Sequence, residues 1–311
     1  MNTLITIDFP YIFLYTNYNM KLEYIVNNLT KYENVKQVLK EEFLLSDRLI
    51  QKLKLTNQIY LNNQPTKIYN TLNIENLITV NLDFEETSDN ILPIKMNLDI
   101  LYEDDGMLII NKPPFMPVHP SMNHYEDSLS NGVKYYFNSI GLKRKIRPVN
   151  RLDKNTSGIV IFAKNEYIQE CLIKEMLSNT LTKKYIALVE GILDKAQIID
   201  APIARKQNSI IERCVDVNGD NAITIIKPLK TFNDYSLIEC KLKTGRTHQI
   251  RVHMAYIGHS ILGDELYGKK SNQINRQALH AFKIEFIHPI SKHKIKILAK
   301  IPPDINNLTK H

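Results

Sequence analysis

The 311-residue chain has no tryptophan, ten glycines and three cysteines. None of the glycines falls into a GxGxxG or Walker pattern, so there is no phosphate-cradling loop for a nucleotide cofactor. Cys171, Cys214 and Cys240 are odd in number and far apart. They form no Cys-x-x-Cys pair, which excludes a disulfide framework and a zinc knuckle and points to a reducing cytoplasm. No run of about 18 apolar residues exists, so no membrane-spanning helix is expected. The first 19 residues are apolar and aromatic, but without a cationic start or a small-residue cleavage site they do not read as a signal peptide.

What is present is positive charge on a globular composition. The chain is 43% hydrophobic and 23% charged, with a net charge of +7. That balance supports a buried core and favours an anionic partner, nucleic acid before membrane. The charge is concentrated at Lys143, Arg144, Lys145, Arg147, Arg151 and Lys154, six cations in twelve residues with Asp153 among them. A turn, Asn155-Thr-Ser-Gly158, then leads into Ile-Val-Ile-Phe-Ala163, which reads as a buried strand. One acid is thus placed on a loop in a positive field at the mouth of a sheet. That suits one nucleophile or base acting on a polyanion, although an Asp among cations is more often an ion-pair partner.

In chain order, residues 1–19 form an extension, and Met20-Lys-Leu-Glu-Tyr-Ile reads as a protein start. Residues 33–55 carry helical periods, with Val35, Val38 and Leu39 on one face and Leu49, Ile50 and Leu53 on another. Ser46 and Asp47 can cap the second helix, which presents Arg48, Lys52 and Lys54 to solvent. Short strands at 59–61 and 78–82 complete a unit over 20–88. Two helices, a small sheet and a basic second helix resemble the alpha-L RNA-binding motif; that resemblance implies RNA contacts through Arg48 and Lys52. A polar, turn-rich linker at 89–97 precedes a larger domain over 98–304, and residues 305–311 read as a tail. Within that domain Met107-Leu-Ile-Ile110 reads as a buried strand, stopped by Asn111-Lys-Pro-Pro114, where Lys112 reads as a solvated strand-end lysine before a phosphate contact. A helix capped by Asn165 follows, with Cys171 on its apolar face as core. The strand at 183–189 starts near Tyr185. Tyr235 through Leu242 alternates, with Leu237, Cys240 and Leu242 placed inward. Thr247 reads as the N-cap and Gly258 as the stop of a helix that puts Arg251 in its first turn, where a cation opposes the helix dipole and needs a nearby anion. His248 and His253 fall on different faces of that helix with no acid beside them, so no metal is expected.

Three segments together carry a family resemblance. Arg151-Leu-Asp-Lys-Asn-Thr-Ser-Gly158 resembles the active-site motif of the RluA-type pseudouridine synthases. Lys183-Lys-Tyr-Ile-Ala-Leu-Val-Glu-Gly191 is similar to their second motif. Lys243-Thr-Gly-Arg-Thr-His-Gln-Ile-Arg-Val-His253, with Gly258-His-Ser-Ile-Leu-Gly-Asp264 and Tyr267, is similar to their third. Asn111-Lys-Pro-Pro114 and Leu279-His-Ala281 fit as well. The resemblance covers roughly 97–302, in family order. It departs at Asn150, where the family usually has His.

The resemblance implies an α+β fold, a central, mostly antiparallel mixed sheet with flanking helices and a cleft. It implies conversion of uridine to pseudouridine in ribosomal or transfer RNA, without cofactor or metal; a monomer is expected. It implies Asp153 as the catalytic carboxylate, Tyr185 beneath the flipped uracil, and Arg251 holding Asp153 charged and aimed. Arg151 would take the vacated place in the RNA, with Arg147, Lys154, Arg246 and His248 around the strand. Two rivals remain open on sequence. A non-catalytic RNA-binding protein keeping the fold would bind RNA with strong salt dependence but form no product. A glycosidase or nuclease would need a second acid or a metal near the first.

Overall fold

The structure, a computed structural model, describes residues 20–27, 31–86 and 90–310; the expectations for 1–19 lie outside them. The N-terminal unit contains β1 (Lys21–Ile25), α1 (Val35–Glu41), α2 (Asp47–Leu55), β2 (Ile59–Leu61), β3 (Gln64–Pro65) and β4 (Leu77–Asn81). Its sheet runs β1-β4-β2-β3, antiparallel throughout. Both helices start on side-chain caps. Asn34 and Gln37 form a capping box, and the Ser46 hydroxyl accepts from the Leu49 N–H at 3.1 Å. The expected apolar positions, Val35, Val38, Leu39, Leu49, Ile50 and Leu53, are all buried.

The larger domain contains β5 (Ile100–Glu103), β6 (Met107–Lys112), α3 (Leu129–Ser139), β7 (Arg147–Pro148), β8 (Ser157–Ala163), α4 (Glu166–Leu177), β9 (Thr182–Glu190), β10 (Gln197–Asp200), β11 (Ile203–Arg205), β12 (Arg213–Val215), β13 (Ile223–Thr231), β14 (Tyr235–Leu242), α5 (Gln249–Tyr256), β15 (Leu279–Ile287), β16 (Lys294–Leu298) and α6 (Pro303–Asn306). One large sheet runs β10-β13-β14-β9-β15-β8-β6-β5, with β16 beside β15 and β7 beside β8. Its pairs are antiparallel except β15 with β8, so it is the mixed, mostly antiparallel sheet expected. β8 lies inside the sheet and is buried along its whole length, which is why it reads as a continuous apolar run.

The two faces of the sheet are covered differently. Leu108, Ile110, Val160 and Phe162 pack in one cluster with Val133 and Phe137 of α3. Met107, Ile109, Ile159, Ile161 and Ala163 pack in the other, with Ile168 and Leu172 of α4 and the buried residues of α1 and α2. The alternation along β6 and β8 is the period of two of a strand. Helix α3 has no counterpart in the sequence reading, though Ser128 followed by Leu129, Val133 and Phe137 spells a helical stripe. In β14 the inward residues are Ser236, Ile238 and Cys240. Leu237 is three positions from Cys240 and so faces the other way.

Most of the basic run meets the protein's own acids. Arg147 is buried and donates to both carboxylate oxygens of Glu86, at 2.5 and 2.6 Å. Arg144 is buried against Asp83 and the Phe84 carbonyl. Lys52 reaches Glu86 at 2.5 Å and Glu166 at 2.9 Å. Arg147 is thus buried in an ion pair, and Lys52, partly exposed, is held between two acids. Charges taken this far from water must be paired, and the acids at 83–86 supply the pairing. These contacts fasten the N-terminal unit to the segment that leads into Asp153, and the crevice between them holds only about 10 Å³. Nor is 305–310 a loose tail: Ile305 is fully buried and the Leu308 carbonyl accepts from the Tyr235 hydroxyl at 2.9 Å.

His280, on β15, is fully buried with Nδ1 2.9 Å from the Ser157 hydroxyl. Burial lowers its pKa to about 4. Its neutral form is the one the fold accepts, so its contribution to stability is present above pH 6.5 and lost as pH falls toward 4. Between pH 7 and 4.5 that linkage is worth about 2 to 3 kcal/mol. His280→Gln should therefore show a smaller loss of unfolding free energy across this range than the unaltered chain, measured by denaturant titration at both pH values. Equal losses would remove His280 as the cause.

Candidate active site

The site is built where the sheet changes direction. The loop 151–156 delivers the chain into β8 beside β15, the one parallel pair among the described residues. Gly158 has φ +119°, and a Cβ there would lie 2.3 to 2.7 Å from the backbone of Ala281. Only glycine permits this approach. Gly158 pairs with Ala281, Ala281 with Tyr185, and Tyr185 with Cys240, one row across four strands. At about 4.8 Å per strand, Tyr185 lies two strands, roughly 10 Å, from Gly158.

Asp153 is partly exposed, and its Oδ2 accepts from Arg251 Nη1 at 3.0 Å. The rest of the guanidinium is occupied by Asp264, with Nε and Nη2 donating at 2.7 and 2.8 Å. Asp264 is 1% exposed. Arg251 is thus a fork between a buried carboxylate that fixes it and a partly exposed one that it aims. Burial opposes the charge on Arg251, but Asp264 and Asp153 more than offset this and raise its pKa. The anion that a first-turn cation requires is therefore supplied twice over.

Tyr267 completes this side. Its ring centroid lies 5.0 Å from the Arg251 guanidinium carbon. Its hydroxyl accepts from the Arg213 N–H and sits 2.8 Å from His248 Nδ1. His248 Nε2 is 3.8 Å from Asp153 Oδ2. Burial lowers the His248 pKa, while the charge of Asp153 works the other way. His248 adopts φ +59° and stands directly before α5, which begins at Gln249. Thr247 is therefore not the N-cap, and the helix begins one residue later than the hydroxyl suggested. The bend is held by the Gln249 side chain, which accepts from the Thr244 hydroxyl and the Arg246 N–H. His253 points elsewhere, with its two ring nitrogens 2.9 Å from the Thr224 hydroxyl and the Ala201 carbonyl.

Tyr185 is buried on β9, and its phenol pKa is raised by burial first and by the Asp153 charge second. Arg151 and Lys154 are exposed on either side of Asp153, and Lys154 Nζ lies 3.0 Å from His124 Nε2. Arg246 is exposed, its Nε donating to the Asn221 carbonyl at 2.9 Å. Beside it opens a cleft of about 420 Å³ lined by Arg205, Arg213, Asp220, Gly245, Arg246 and Thr247. Asp153, Tyr185, Arg251, His248, Arg151 and Lys154 are thus gathered at one place. Arg48, exposed on α2 and 3.3 Å from Glu166, belongs to the N-terminal unit with Lys52, and Arg147 belongs to the ion pairs beneath it.

One residue of this region was given no role from sequence, and another was placed wrongly. Asp264 lies in the quoted third segment but carried no role there. The clue was the five-donor fork of Arg251, which one carboxylate does not fill. Lys112 is fully buried rather than solvated, and burial with the nearby Arg276 charge lowers its pKa to about 7. Asn150 is also buried. Its amide donates to the Ile159 carbonyl and accepts from the Ile161 N–H, at 3.0 and 2.9 Å, so it anchors the approach to Asp153 onto β8.

Residues 106–256 match the family model described as RNA pseudouridylate synthase. The chain is 35% identical over 271 residues to YjbO of Bacillus subtilis (strain 168), an "Uncharacterized RNA pseudouridine synthase", covering 86% of this chain and 96% of the relative. The chain belongs to the RluA-type RNA pseudouridine synthases. The enzyme is accordingly an isomerase acting on RNA. It is also 36% identical over 233 residues to the "Ribosomal large subunit pseudouridine synthase D" of Zymomonas mobilis, covering 70% of this chain and 74% of the relative. Its fold is shared with the human protein "RNA Pseudouridylate Synthase Domain Containing 1", at a TM-score of 0.55 and 24% identity over 67% of this chain and 86% of that one. Among the described residues no helix is long and apolar enough to cross a membrane.

Proposed function

We propose that the enzyme converts uridine to pseudouridine in large-subunit ribosomal RNA, with Asp153 as its catalytic carboxylate and no cofactor. The observation that carries this reading is the Arg251 fork, which holds a partly exposed Asp153 at 3.0 Å, with its charge reaching the Tyr185 phenol. The reaction breaks the N1–C1′ bond, forms C5–C1′, moves a proton off C5 and returns one to N1. It is redox-neutral and needs no energy input, so correctly placed side chains suffice.

The uridine must leave its stack first, at a cost of a few kcal/mol. Arg151 and Lys154 flank Asp153 and can hold the strand, with Arg246 and its cleft beyond. Tyr185 lies under the base and takes part in removing the C5 proton. Asp153 acts either by bonding to the sugar or base or by taking a sugar proton to give a glycal, and its placement serves both. The ribosomal assignment is favoured over transfer RNA by relatives named as ribosomal large subunit pseudouridine synthases in several bacteria. Mapping pseudouridine at single-nucleotide resolution in RNA from cells with and without the protein tests it. A large-subunit site that disappears with the protein is expected; a site lost only from transfer RNA would overturn the ribosomal assignment.

A further inference from the structure

The turn that carries Asp153 is gripped from inside the protein by two cations that no substrate can reach. Lys112, at the end of β6, is fully buried. Its ammonium donates to the carbonyls of Pro113, Met116 and Lys154 at 2.8, 2.7 and 3.0 Å, which uses all three of its N–H groups. Arg276, 1% exposed, donates from Nη1 to the carbonyls of Asn155, Gln277 and Leu279 at 3.1, 3.2 and 3.3 Å. Its Nε and Nη2 form a two-point pair with Asp304 of α6 at 2.7 and 3.0 Å. The neighbouring Gln277 donates to the Thr156 hydroxyl at 3.2 Å. The Thr156 N–H closes the turn onto the Asp153 carbonyl at 3.0 Å. The carbonyls of residues 153, 154 and 155 are therefore taken one after another, two of them by buried charge.

This arrangement is costly. Lys112 and Arg276 are close enough for the charge of one to lower the pKa of the other. Buried carbonyls need donors, but neutral N–H or hydroxyl groups would satisfy them without bringing two like charges together. What the two cations add is a grip on the successive carbonyls of Lys154 and Asn155, which with the Thr156 N–H on the Asp153 carbonyl holds the Cα of Asp153 against rotation. A carboxylate that must meet one atom of a flipped nucleoside needs this, because a misplacement of about 1 Å costs on the order of a hundredfold in rate.

We propose that Arg276, locked by Asp304 and acting with Lys112, positions Asp153, so that the C-terminal segment belongs to the catalytic apparatus. The proposal rests on Asp153 being the catalytic carboxylate. Neither cation touches the substrate; both act through the turn.

The test uses the full-length protein with Asp304→Asn, Asp304→Glu, Asp153→Asn, and Val133→Ala as a destabilised control in α3. Each is assayed in single turnover on large-subunit RNA from cells lacking the protein, with RNA affinity and unfolding midpoint measured in parallel. Asp304→Asn should lower the rate about 10- to 100-fold with RNA affinity within about threefold of the unaltered enzyme. Asp304→Glu should recover part of the loss, because it restores the charge that locks Arg276. Val133→Ala should keep its rate at a temperature well below its midpoint. An unchanged rate for Asp304→Asn overturns the proposal, as does a rate loss that follows the midpoint across Asp304→Asn and Val133→Ala alike. If Asp153→Asn is inactive while Asp304→Asn turns over normally, the positioning role alone fails. If Asp153→Asn is active, the reading of the site fails and takes this role with it.

Discussion

Asp153→Asn is expected to lower pseudouridine formation by at least about a thousandfold, the scale on which removal of a central catalytic group is felt. RNA affinity should hold or rise slightly. The substitution keeps the side chain's size and removes a negative charge from a surface that faces a polyanion. Folding should be little affected, because Asp153 is partly exposed and the Arg251 fork remains bidentate to Asp264. The asparagine amide oxygen can still accept from Arg251 Nη1, so no buried donor is left unpaired. Single-turnover rate, filter-binding affinity and unfolding midpoint separate these effects. A parallel fall in all three would mean that Asp153 is a structural ion-pair partner, the ordinary fate of an acid in a basic run.

Arg251→Lys is expected to be nearly as damaging although the charge is kept. The guanidinium spans two carboxylates at once, with Nε and Nη2 on Asp264 and Nη1 on Asp153. A lysine ammonium is a single point on a flexible stem and cannot hold both in that geometry. Wherever it settles, either the buried Asp264 loses its two-point partner or Asp153 loses its aim. The first costs about 3 to 5 kcal/mol of stability, by analogy with buried pairs broken on one side. The second costs about a hundredfold in rate. The two are distinguished by measuring activity well below the unfolding midpoint. Arg251→Lys with the activity and midpoint of the unaltered enzyme would show that charge alone suffices.

The sequence shows the middle of this molecule better than its edges, and the reason is physical. β8 is buried on both faces and reads as an unbroken apolar run. α1 and α2 bury one stripe each and show helical periods. Asp153, Tyr185 and Arg251 come from segments far apart in sequence, and only their motifs, not any periodicity, suggest that they meet. What sequence cannot show is which partner a charge chooses. Arg147, Arg144 and Lys52 look like a surface for a polyanion because the acids that neutralise them, Asp83, Glu86 and Glu166, lie on other segments. Lys112 looks like a solvated strand end because its acceptors are backbone carbonyls, which leave no trace in residue type. The start of α5 shifts by one residue because a side-chain amide, not the nearest hydroxyl, holds the bend.

The central claim is that Asp153, without any added group, drives the exchange of a carbon–nitrogen for a carbon–carbon bond at a flipped uridine. The most direct measurement uses large-subunit RNA, made in cells lacking the protein, with tritium at C5 of its uridines. That hydrogen leaves only when C5 becomes bonded to the sugar. Purified enzyme in chelator, with no nucleotide present, should release tritium to water in proportion to its target sites, and Asp153→Asn should release none. Release by Asp153→Asn, or a requirement of the unaltered enzyme for added metal or cofactor, would contradict the account.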